Sequence, residues 1–316
     1  MKVLLRAALA AVLAVPALAG APAFEKNTYT YKTVGDCAIQ ADVYRLPGSD
    51  IRPAIFWIHG GALIMGHRTN INHEQLERYL KAGFAVVSID YRLAPETKLP
   101  EILTDVRDAW AWLRETAPTL RIDPDRIGVV GHSAGGYLTL TCGHRLKPRP
   151  RALVAFYGYG DIVGEWYSRP DPFYSKQPLV SKEDAWASVG KRAISGTPGR
   201  NDRDRFYLYC RQRGLWPDLV AGIDPRANPR AFDEFCPLRN VSREYPPTML
   251  LHGDRDTDVP LEQSAMMEKE LARQGVEREF VKMSGGEHGF DRQMDSAPVS
   301  AAFDRAVAFL TRHLGR

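Results

Sequence analysis

The stretch from Arg126 to Tyr137 reads RIGVVGHSAGGY, and the rest of the chain is arranged around it. Its first half is a short apolar run rich in β-branched residues, which predicts a buried strand. The pentapeptide from Gly131 to Gly135 follows at once, and a helix-compatible segment covers residues 136–145. A sharp turn between a strand and a helix would hold Ser133 in a strained backbone conformation, with its hydroxyl exposed above the sheet. The pattern therefore predicts a nucleophilic serine at position 133.

The residues around Ser133 also suit a reacting serine. Glycines two positions before and after it leave no side chain where the strand and the helix nearly touch. The helix begins directly behind the serine, so its first N–H groups and positive dipole end would face an oxyanion formed there. A G-x-S-x-G pattern also occurs in plain tight turns, but its place between a buried strand and a helix favours the catalytic interpretation.

Strand-like and helix-like segments alternate on both sides of this turn. Two strand-like runs between Asn27 and Leu46 flank the turn pair Gly35-Asp36, which predicts an antiparallel hairpin at a sheet edge. Further strands are predicted at residues 53–58, 84–89, 152–157, 248–251 and 278–283, and helices at 74–82, 101–116, 261–274 and 298–314. This alternation predicts a mainly parallel sheet with helices on both faces.

Residues 158–246 break this rhythm. The segment is rich in Pro, Gly, Asp, Arg and aromatic residues and shows no sheet pattern, so we interpret it as a cap inserted into a core formed by residues 24–157 and 247–316. Most of its aromatic residues are expected to form a small satellite core, and a few to line a pocket beneath the cap.

The N-terminus predicts export. Residues 1–19 carry two basic residues, an apolar run from Ala7 to Val15 and an A-x-A motif, as a secretory signal peptide does. Cleavage is expected after Ala19, with Ala23 as the alternative. The apolar run is too short to span a bilayer, which argues against a membrane anchor and against stable membrane insertion. The expected location is therefore the periplasm or the exterior.

The overall charge limits the partners. The chain has 42 Lys and Arg against 38 Asp and Glu, a net charge of +4, and this falls to +2 without the two basic residues of the signal peptide. So small a charge argues against nucleic acid or an acidic partner.

The four cysteines match no zinc-binding pattern, while export permits disulfides. Cys142 falls in the helix after Ser133 and is expected to be simply buried. Cys210 and Cys236 share one loop-rich region and form the expected bridge.

A serine hydroxyl needs a base within hydrogen-bond reach, and that base needs a carboxylate to hold it. His288 is the best candidate base, because it lies in a glycine-flanked turn after the final strand. There its ring can reach over the carboxyl edge of the sheet. The alternative is a histidine that is merely part of a surface turn.

Three aspartates compete for the acid position in the loop that follows residues 248–251. Asp254 is too close to the strand end and would pack locally or cap the turn. Asp258 precedes a helix start, where it is expected to act as an N-cap. Asp256 lies in mid-loop and is our choice, which produces the chain order Ser, Asp, His.

An oxyanion hole needs backbone N–H groups aimed at the developing negative charge. Ala134, the residue after the nucleophile, would supply one such donor. Gly61 and Ala62, in the loop after the strand at 53–58, would supply the others.

Five motifs, HGGA, DYRLAPE, GHSAGG, HGDRDTDVP and GEHGF, occur in the order and spacing of the α/β-hydrolase superfamily. The first three resemble the hormone-sensitive-lipase-like esterases, and the last two the prolyl-oligopeptidase and bacterial acyl or feruloyl esterase branch. The resemblance implies an α/β-hydrolase fold with a Ser133, Asp256 and His288 triad and an oxyanion hole at Gly61, Ala62 and Ala134.

The resemblance also has departures and secondary implications. Ala62 stands where the lipase-like group has a third glycine, which keeps the N–H but adds a methyl group to the acyl site. The acidic loop is not of the DPLRD type, so cap type and substrate cannot be carried over. By resemblance, Asp90, Arg92 and Glu96 form a scaffold network beside the pocket.

These observations predict an exported serine carboxylesterase that needs no metal or organic cofactor. A prolyl-oligopeptidase-like exopeptidase is the alternative enzyme, although no propeller domain is present to match that family. A non-catalytic binding protein on the same fold is the third interpretation, but such proteins typically lose triad members. Oligomeric state is left open.

The substrate is expected to be a small-molecule or carbohydrate ester. Four arginines of the cap are interleaved with aromatic residues around Phe206, Tyr207 and Tyr209, namely Arg203, Arg205, Arg211 and Arg213. Aromatic faces beside hydrogen-bond donors suit sugar rings or a phenolic acyl group better than a lipid tunnel. An ordinary solvated cap would show part of the same pattern. We therefore expect short-acyl or aromatic-acyl esters, with plant polysaccharide as a candidate carrier.

Overall fold

A computed structural model of the protein describes residues 24–198 and 203–315. The predicted signal peptide and both of its candidate cleavage positions lie outside these residues. The strands are β1 (Glu25–Val34), β2 (Cys37–Arg45), β3 (Arg52–Ile58), β4 (Ala85–Ile89), β5 (Ile122–His132), β6 (Leu153–Phe156), β7 (Thr248–Gly253) and β8 (Arg278–Met283). The helices are α1 (His73–Lys81), α2 (Leu99–Leu120), α3 (Ala134–Arg145), α4 (Glu165–Ser168), α5 (Lys182–Trp186), α6 (Asp204–Arg213), α7 (Trp216–Ala221), α8 (Glu262–Arg273) and α9 (Ala297–Leu314).

The strands form one eight-stranded sheet in the order β1-β2-β4-β3-β5-β6-β7-β8. Strand β2 runs antiparallel to both of its neighbours, and every other pairing is parallel. The predicted hairpin at the sheet edge is confirmed, with Gly35 at a φ of +56° in its turn. The mainly parallel sheet predicted from the alternation of elements is likewise confirmed.

The central strands are apolar on both sides because both faces of the sheet are covered by helices. On one face, Phe56 of β3 packs edge-on against Trp110 of α2, with ring centroids 5.7 Å apart. On the other face, Trp57 belongs to a cluster that includes Tyr79 of α1 and Phe303 of α9. Each such side chain contributes about 1.5–3 kcal/mol to the stability of the fold when fully buried.

The segment between β6 and β7 contains helices and turns but no strand among its described residues. Its aromatic side chains do not form the separate satellite core that we predicted. Phe206 and Trp216 are fully buried, and they belong to the same apolar cluster as α2 and α3. The Trp216 indole also donates a hydrogen bond to the Ala62 carbonyl oxygen, at 3.0 Å. The cap is therefore continuous with the core on this face.

The predicted bridge between Cys210 and Cys236 is wrong, because both thiols are free. Cys210 is fully buried on α6 within the apolar cluster. The Cys236 thiol instead lies 3.7 Å from a carboxylate oxygen of Asp161. Closeness in a loop-rich sequence did not translate into facing side chains, since each cysteine is packed against a different partner. Cys142 is buried in α3, as predicted.

Within residues 24–198 and 203–315, none of the helices combines the length and the apolar character needed to cross a bilayer.

Candidate active site

Ser133 lies at the sharp turn between β5 and α3. Its backbone has a φ of 56° and a ψ of −121°, a conformation that L-residues rarely adopt, so the predicted strain is present. The Ser133 N–H donates to the Phe156 carbonyl oxygen at 2.9 Å, which ties the turn to the neighbouring strand β6. Backbone strain and this hydrogen bond together hold the side chain above the carboxyl edge of the sheet.

The glycines on either side of Ser133 are required by close backbone contacts. A Cβ atom at Gly131 would lie 2.2 Å from the Gly135 carbonyl oxygen. A Cβ atom at Gly135 would lie 2.1 Å from the Ile58 carbonyl oxygen. Both distances are far below contact distance, so no side chain fits where the strand, the helix and β3 meet.

The structure brings the predicted serine, histidine and aspartate into one hydrogen-bonded chain. The His288 Nε2 lies 3.0 Å from the Ser133 Oγ, and the His288 Nδ1 lies 2.8 Å from the Asp256 Oδ2. His288 sits in the turn between β8 and α9, where the carboxyl end of a strand places it over the sheet. These are the distances that proton transfer from the hydroxyl to the imidazole requires.

Asp256 is held by its own loop. Its Oδ1 accepts hydrogen bonds from the N–H groups of Asp258 and Val259, at 2.9 and 2.8 Å. Burial alone would raise the pKa of Asp256, but hydrogen bonds from His252 and His288 and the charge of His288 lower it below its usual range. The carboxylate is therefore charged and fixed with Oδ2 towards the imidazole.

The other two aspartates of this loop have different surroundings. Asp254 accepts the N–H of Gly285 at 2.7 Å, which is the local packing expected for a residue at the strand end. The prediction that Asp258 is an N-cap is wrong, since Leu261 occupies the N-cap of α8. Asp258 instead contacts side chains of the cap, which no local rule about helix starts could reveal.

The pKa of His288 is raised above its usual value by the carboxylates that surround it. Burial by itself would lower this pKa, and the charge of Arg292 acts in the same direction. The charges of Asp258 and Asp256 and the hydrogen bond to Asp256 outweigh both effects. The imidazole is therefore a stronger base than an exposed histidine.

The proposed oxyanion donors lie in two places beside Ser133. Ala134 is the first residue of α3, where backbone N–H groups have no partner within the helix. Gly61 and Ala62 line the cavity in front of Ser133, with φ values of 107° and 55°. The Gly61 carbonyl oxygen closes its own turn by accepting the N–H groups of Ile64 and Met65, both at 2.9 Å.

The cavity in front of Ser133 has a volume of ≈ 570 Å³ and a mixed polar and apolar lining. Its lining includes the side chains of Trp57, Asn70, Asn72, Gln75, His132, Tyr157, Thr197, Asp204, Tyr207, Asp258, His288, Asp291 and Arg292. A cavity of this size lies within the range of small-molecule binding sites.

Sequence reasoning missed the network around Asp291, one residue beyond the GEHGF motif. The Asp291 carboxylate lies 3.1 Å from the His132 Nε2 and accepts hydrogen bonds from Tyr157 (2.5 Å) and Gln75 (2.7 Å). Burial would raise the pKa of Asp291, but His132 and these donors lower it below its usual range. The acidic residue after Phe290 was a signal in the sequence, but its partners come from three distant segments.

The cap arginines do not form the ligand-facing set that the sequence suggested. Arg203 and Arg211 are almost fully buried in ion pairs. Arg205 pairs with Asp184 at the surface, and Arg213 donates to the Val180 carbonyl oxygen. Of the aromatic residues between them, Tyr207 alone is among the cavity-lining residues described. The arginines therefore mainly hold the cap in place.

The three residues assigned to a scaffold by resemblance belong to separate ion pairs. Asp90 accepts from Arg68 at 2.6 Å, Arg92 donates to Asp105 at 2.7 Å, and Glu96 accepts from Arg203 at 2.6 Å. The Glu96 pair joins the loop after β4 to the cap.

No group of three or more His, Cys, Asp or Glu side chains within residues 24–198 and 203–315 is arranged to hold a metal ion.

With this geometry in place, comparisons with known proteins identify the family. Residues 55–292 match the model of a family with the alpha/beta hydrolase fold. The match covers both the Ser133 turn and the His288 turn, and the chain therefore belongs to the α/β-hydrolase family.

Among solved structures, the chain is similar to an alpha/beta hydrolase superfamily protein from Enterococcus faecalis. The TM-score is 0.72 at 24% identity, covering 92% of this chain and 100% of the other. It is also similar to an acetyl ester-xyloside bifunctional hydrolase from Caldicellulosiruptor lactoaceticus. There the TM-score is 0.62 at 21% identity, covering 87% of this chain and 88% of the other. At such identities the likeness establishes the fold.

Among curated proteins, the chain is 30% identical to the non-reducing polyketide synthase ausA of Emericella nidulans. The alignment covers 92% of this chain but 14% of the synthase. The chain thus spans about a seventh of the length of the curated relatives it matches.

Proposed function

We propose that this protein is an exported serine carboxylesterase that acts on short-acyl or aromatic-acyl esters, including esters of carbohydrates. The observation that carries the proposal is the hydrogen-bonded chain from Ser133 through His288 to Asp256, with contacts of 3.0 and 2.8 Å, in which Ser133 and His288 line a cavity. Membership of the α/β-hydrolase family supports the same chemistry.

In this mechanism the Ser133 Oγ attacks the ester carbonyl carbon while its proton passes to the His288 Nε2. Asp256 holds the ring with its Nδ1–H towards the carboxylate and stabilises the imidazolium. The N–H groups of Ala134 and of the Gly61 loop stabilise the negative charge on the carbonyl oxygen. The Nε2 then returns the proton to the departing alcohol, and water releases the acyl group from Ser133 by the same steps.

The lining of the cavity supports a polar or aromatic ester rather than a lipid. Amide, hydroxyl and charged side chains lie beside Trp57 and Tyr157, whereas a long acyl chain would need a continuous aliphatic surface. A fold neighbour named as an acetyl ester-xyloside hydrolase is compatible with this substrate class.

Replacement of Ser133 by Ala tests the chemistry. Hydrolysis of p-nitrophenyl acetate should fall by about 10⁶-fold in kcat, and a fluorophosphonate probe should label the wild type and not the variant. The variant should unfold at the same urea concentration as the wild type. Wild-type turnover by Ser133→Ala would contradict the proposal, and a wild type that neither turns over nor labels would favour a binding protein.

A substrate panel tests the specificity. It pairs acetate, butyrate and palmitate esters with acetylated xylan, feruloylated sugars and short peptides. We expect activity on the short or aromatic acyl groups. A steady rise towards palmitate with no activity on either sugar ester would contradict this assignment, and faster cleavage of peptides would identify an exopeptidase instead.

Export is tested separately by expressing the full chain in a bacterial host. Mass spectrometry of the periplasmic and medium fractions should find a mature N-terminus at residue 20. Retention of the intact N-terminus in the cytoplasm would contradict export without affecting the chemistry.

A further inference from the structure

Asp258 lies beside the reacting groups but takes no part in the chain of hydrogen bonds described above. Its Oδ2 is 3.4 Å from the His288 Nε2, the atom that also contacts Ser133. Its side chain is 17% exposed and lines the cavity. A carboxylate this close to the proton-transferring nitrogen must meet any substrate that reacts there.

The two oxygens of this carboxylate have different surroundings. Oδ1 accepts three hydrogen bonds, from the hydroxyl groups of Tyr174 (3.0 Å) and Tyr207 (2.5 Å) and from the Arg211 Nη1 (2.6 Å). Among the described residues, the His288 ring makes the one ion-pair or hydrogen-bond contact to Oδ2. The carboxylate is thus saturated on one side and keeps acceptor capacity on the side of the reaction.

The group that holds Asp258 is itself fixed. Arg211 is buried, its Nη2 donates to Asp171 at 2.6 Å, and its guanidinium packs over the rings of Tyr167 and Tyr174 at 4.9 and 4.8 Å. A fixed acceptor pays little entropy when it binds a partner, which makes it suited to selecting one.

The place of Oδ2 identifies the part of the substrate that it meets. In acyl transfer the His288 Nε2 hands its proton to the oxygen of the departing alcohol. The carbon atoms next to that oxygen therefore pass close to Oδ2, while the acyl group is bonded to the carbonyl carbon at Ser133. Asp258 faces the alcohol part of the ester.

The position of Oδ2, rather than the surrounding charge, favours a hydroxyl as its partner. Arg211 is shared by Asp171 and Asp258, and Asp204 and Asp291 line the same cavity as Arg292, so the surroundings do not exclude a cation. Oδ2 offers a hydrogen-bond acceptor next to the atom that protonates the departing oxygen, and a hydroxyl on the neighbouring carbon can donate to it, whereas a quaternary ammonium group has no hydrogen to donate.

We propose that the Asp258 Oδ2 is a leaving-group subsite that accepts a hydrogen bond from a free hydroxyl beside the ester oxygen. The preferred alcohol is then a polyol, such as a sugar ring esterified at one of two adjacent hydroxyl groups. This inference rests on the proposed esterase function and names the alcohol side of its substrate.

The test compares 2-hydroxyethyl butyrate with 2-methoxyethyl butyrate, which can accept but not donate a hydrogen bond at the second oxygen. Wild-type kcat/KM should be roughly tenfold higher for the hydroxyethyl ester, the value of one hydrogen bond to a charged group. In Asp258→Asn the amide oxygen takes the place of Oδ1, because the three donors on that side need an acceptor. The NH₂ group then takes the place of Oδ2 and faces the cavity. This NH₂ can donate to either substrate, and the ratio should fall to about one.

Tyr174→Phe is the matched control, because it removes one donor to Oδ1 and leaves the carboxylate and Arg211 in place. It should keep the wild-type ratio, and a loss of the ratio in this variant would assign the preference to the packing of the cap instead. Equal wild-type rates on the two esters, or a ratio unchanged in Asp258→Asn, would overturn the proposal.

Two further substrates separate the remaining outcomes. If the enzyme preferred a hydroxyl on the acyl group to one on the alcohol, the placement of Asp258 beside the alcohol part of the ester would be wrong. If it preferred a choline ester to 2-hydroxyethyl butyrate, the choice of a neutral hydrogen-bond donor would be wrong. Absence of turnover on every ester would instead refute the esterase function itself. Failure of the Asp258 subsite can therefore be distinguished from failure of the esterase function.

Discussion

The loops at the strand ends and the cap meet at the same cavity but are held by different forces. The strand-end loops around Ser133, Gly61 and Asp256 are positioned by backbone hydrogen bonds and by close glycine contacts, both within their own turns and to the neighbouring strands. The cap packs into the apolar core and is also tied down by buried ion pairs, with Arg203 reaching Glu96 and Arg211 reaching Asp258. Backbone geometry thus positions the candidate reacting groups, and the pairing of charged side chains orders what surrounds them.

This difference predicts separable consequences of mutation. A change in the strand-end loops should affect the chemical step while the fold persists. A change in the buried pairs of the cap should affect stability and substrate preference first. The following experiments test that separation, starting from the largest effect.

Asp256→Asn should lower kcat by about 10⁴-fold, because the amide can hold the wrong tautomer of His288 and cannot stabilise its charged form. Asp254→Asn should stay close to wild type, since this residue accepts one turn N–H at the strand end. The kcat of the wild type and of both variants is measured by steady-state hydrolysis of p-nitrophenyl acetate. If Asp254→Asn proves the more damaging change, the acid has been assigned two residues too far along the loop.

Arg203→Met should destabilise the protein by about 3–5 kcal/mol, because it leaves the buried Glu96 carboxylate without its partner. The exposed pair between Arg205 and Asp184 is the control, and Arg205→Met should cost about 1 kcal/mol or less. The free energy of unfolding is measured by urea titration, and its dependence on urea concentration should have the same slope in all three proteins.

Neutralising the partner sharpens this test. Adding Glu96→Gln to Arg203→Met should recover much of the lost stability, since no unpaired charge is then buried. If Arg203→Met alone were as stable as Arg205→Met, the cap would not depend on the pair between Arg203 and Glu96.

The smallest expected effect is a shift of the pH profile in Asp258→Asn. Activity requires neutral His288, so kcat/KM falls as the pH drops through the pKa of this residue. Burial and Arg292 lower that pKa, while Asp258 and Asp256 raise it to a net value above the usual one. The wild-type acid limb should therefore lie above that of an ordinary histidine.

Removing the charge of Asp258 also leaves Arg211 less compensated, so the acid limb of Asp258→Asn should move to lower pH. Initial rates on 2-methoxyethyl butyrate from pH 4.5 to 8.5 measure the shift, with Tyr174→Phe as the control. If the acid limb of Asp258→Asn lies at the same pH as that of the wild type, Asp258 does not raise the pKa of His288 and Asp256 alone does so.

Most of the sheet and the reacting residues could be predicted because their signals are local. A continuous apolar run between turn residues predicts a buried strand whatever surrounds it, and β8 was predicted at the bounds that the structure shows. Helix α2 was predicted to end at residue 116 but continues to Leu120, where Arg121 in the left-handed conformation ends it. The end of a helix depends on such single-residue conformations, which periodicity does not reveal.

The cap resisted prediction because its residues find partners far away in the chain. The expectation that Cys210 and Cys236 form a bridge failed for this reason, and so did the separate satellite core. Arginines beside tyrosines looked like ligand-binding groups, yet Arg211 is buried against Asp171 and Asp258. Composition shows that such groups are present but not which of them face each other.

By itself, the sequence determined the α/β alternation and the strained turn at Ser133, since each depends on residues close together in the chain. It also predicted Ser133, Asp256 and His288 as the candidate nucleophile, acid and base, because each lies in a recognisable motif after a strand. Only the tertiary structure decided that Asp258 faces His288 rather than capping α8, and that Asp291 joins His132, Tyr157 and Gln75. The physical reason is range: turns and strands follow from steric rules over a few residues. The pairing of buried charges depends on which distant segments the fold brings within hydrogen-bond distance.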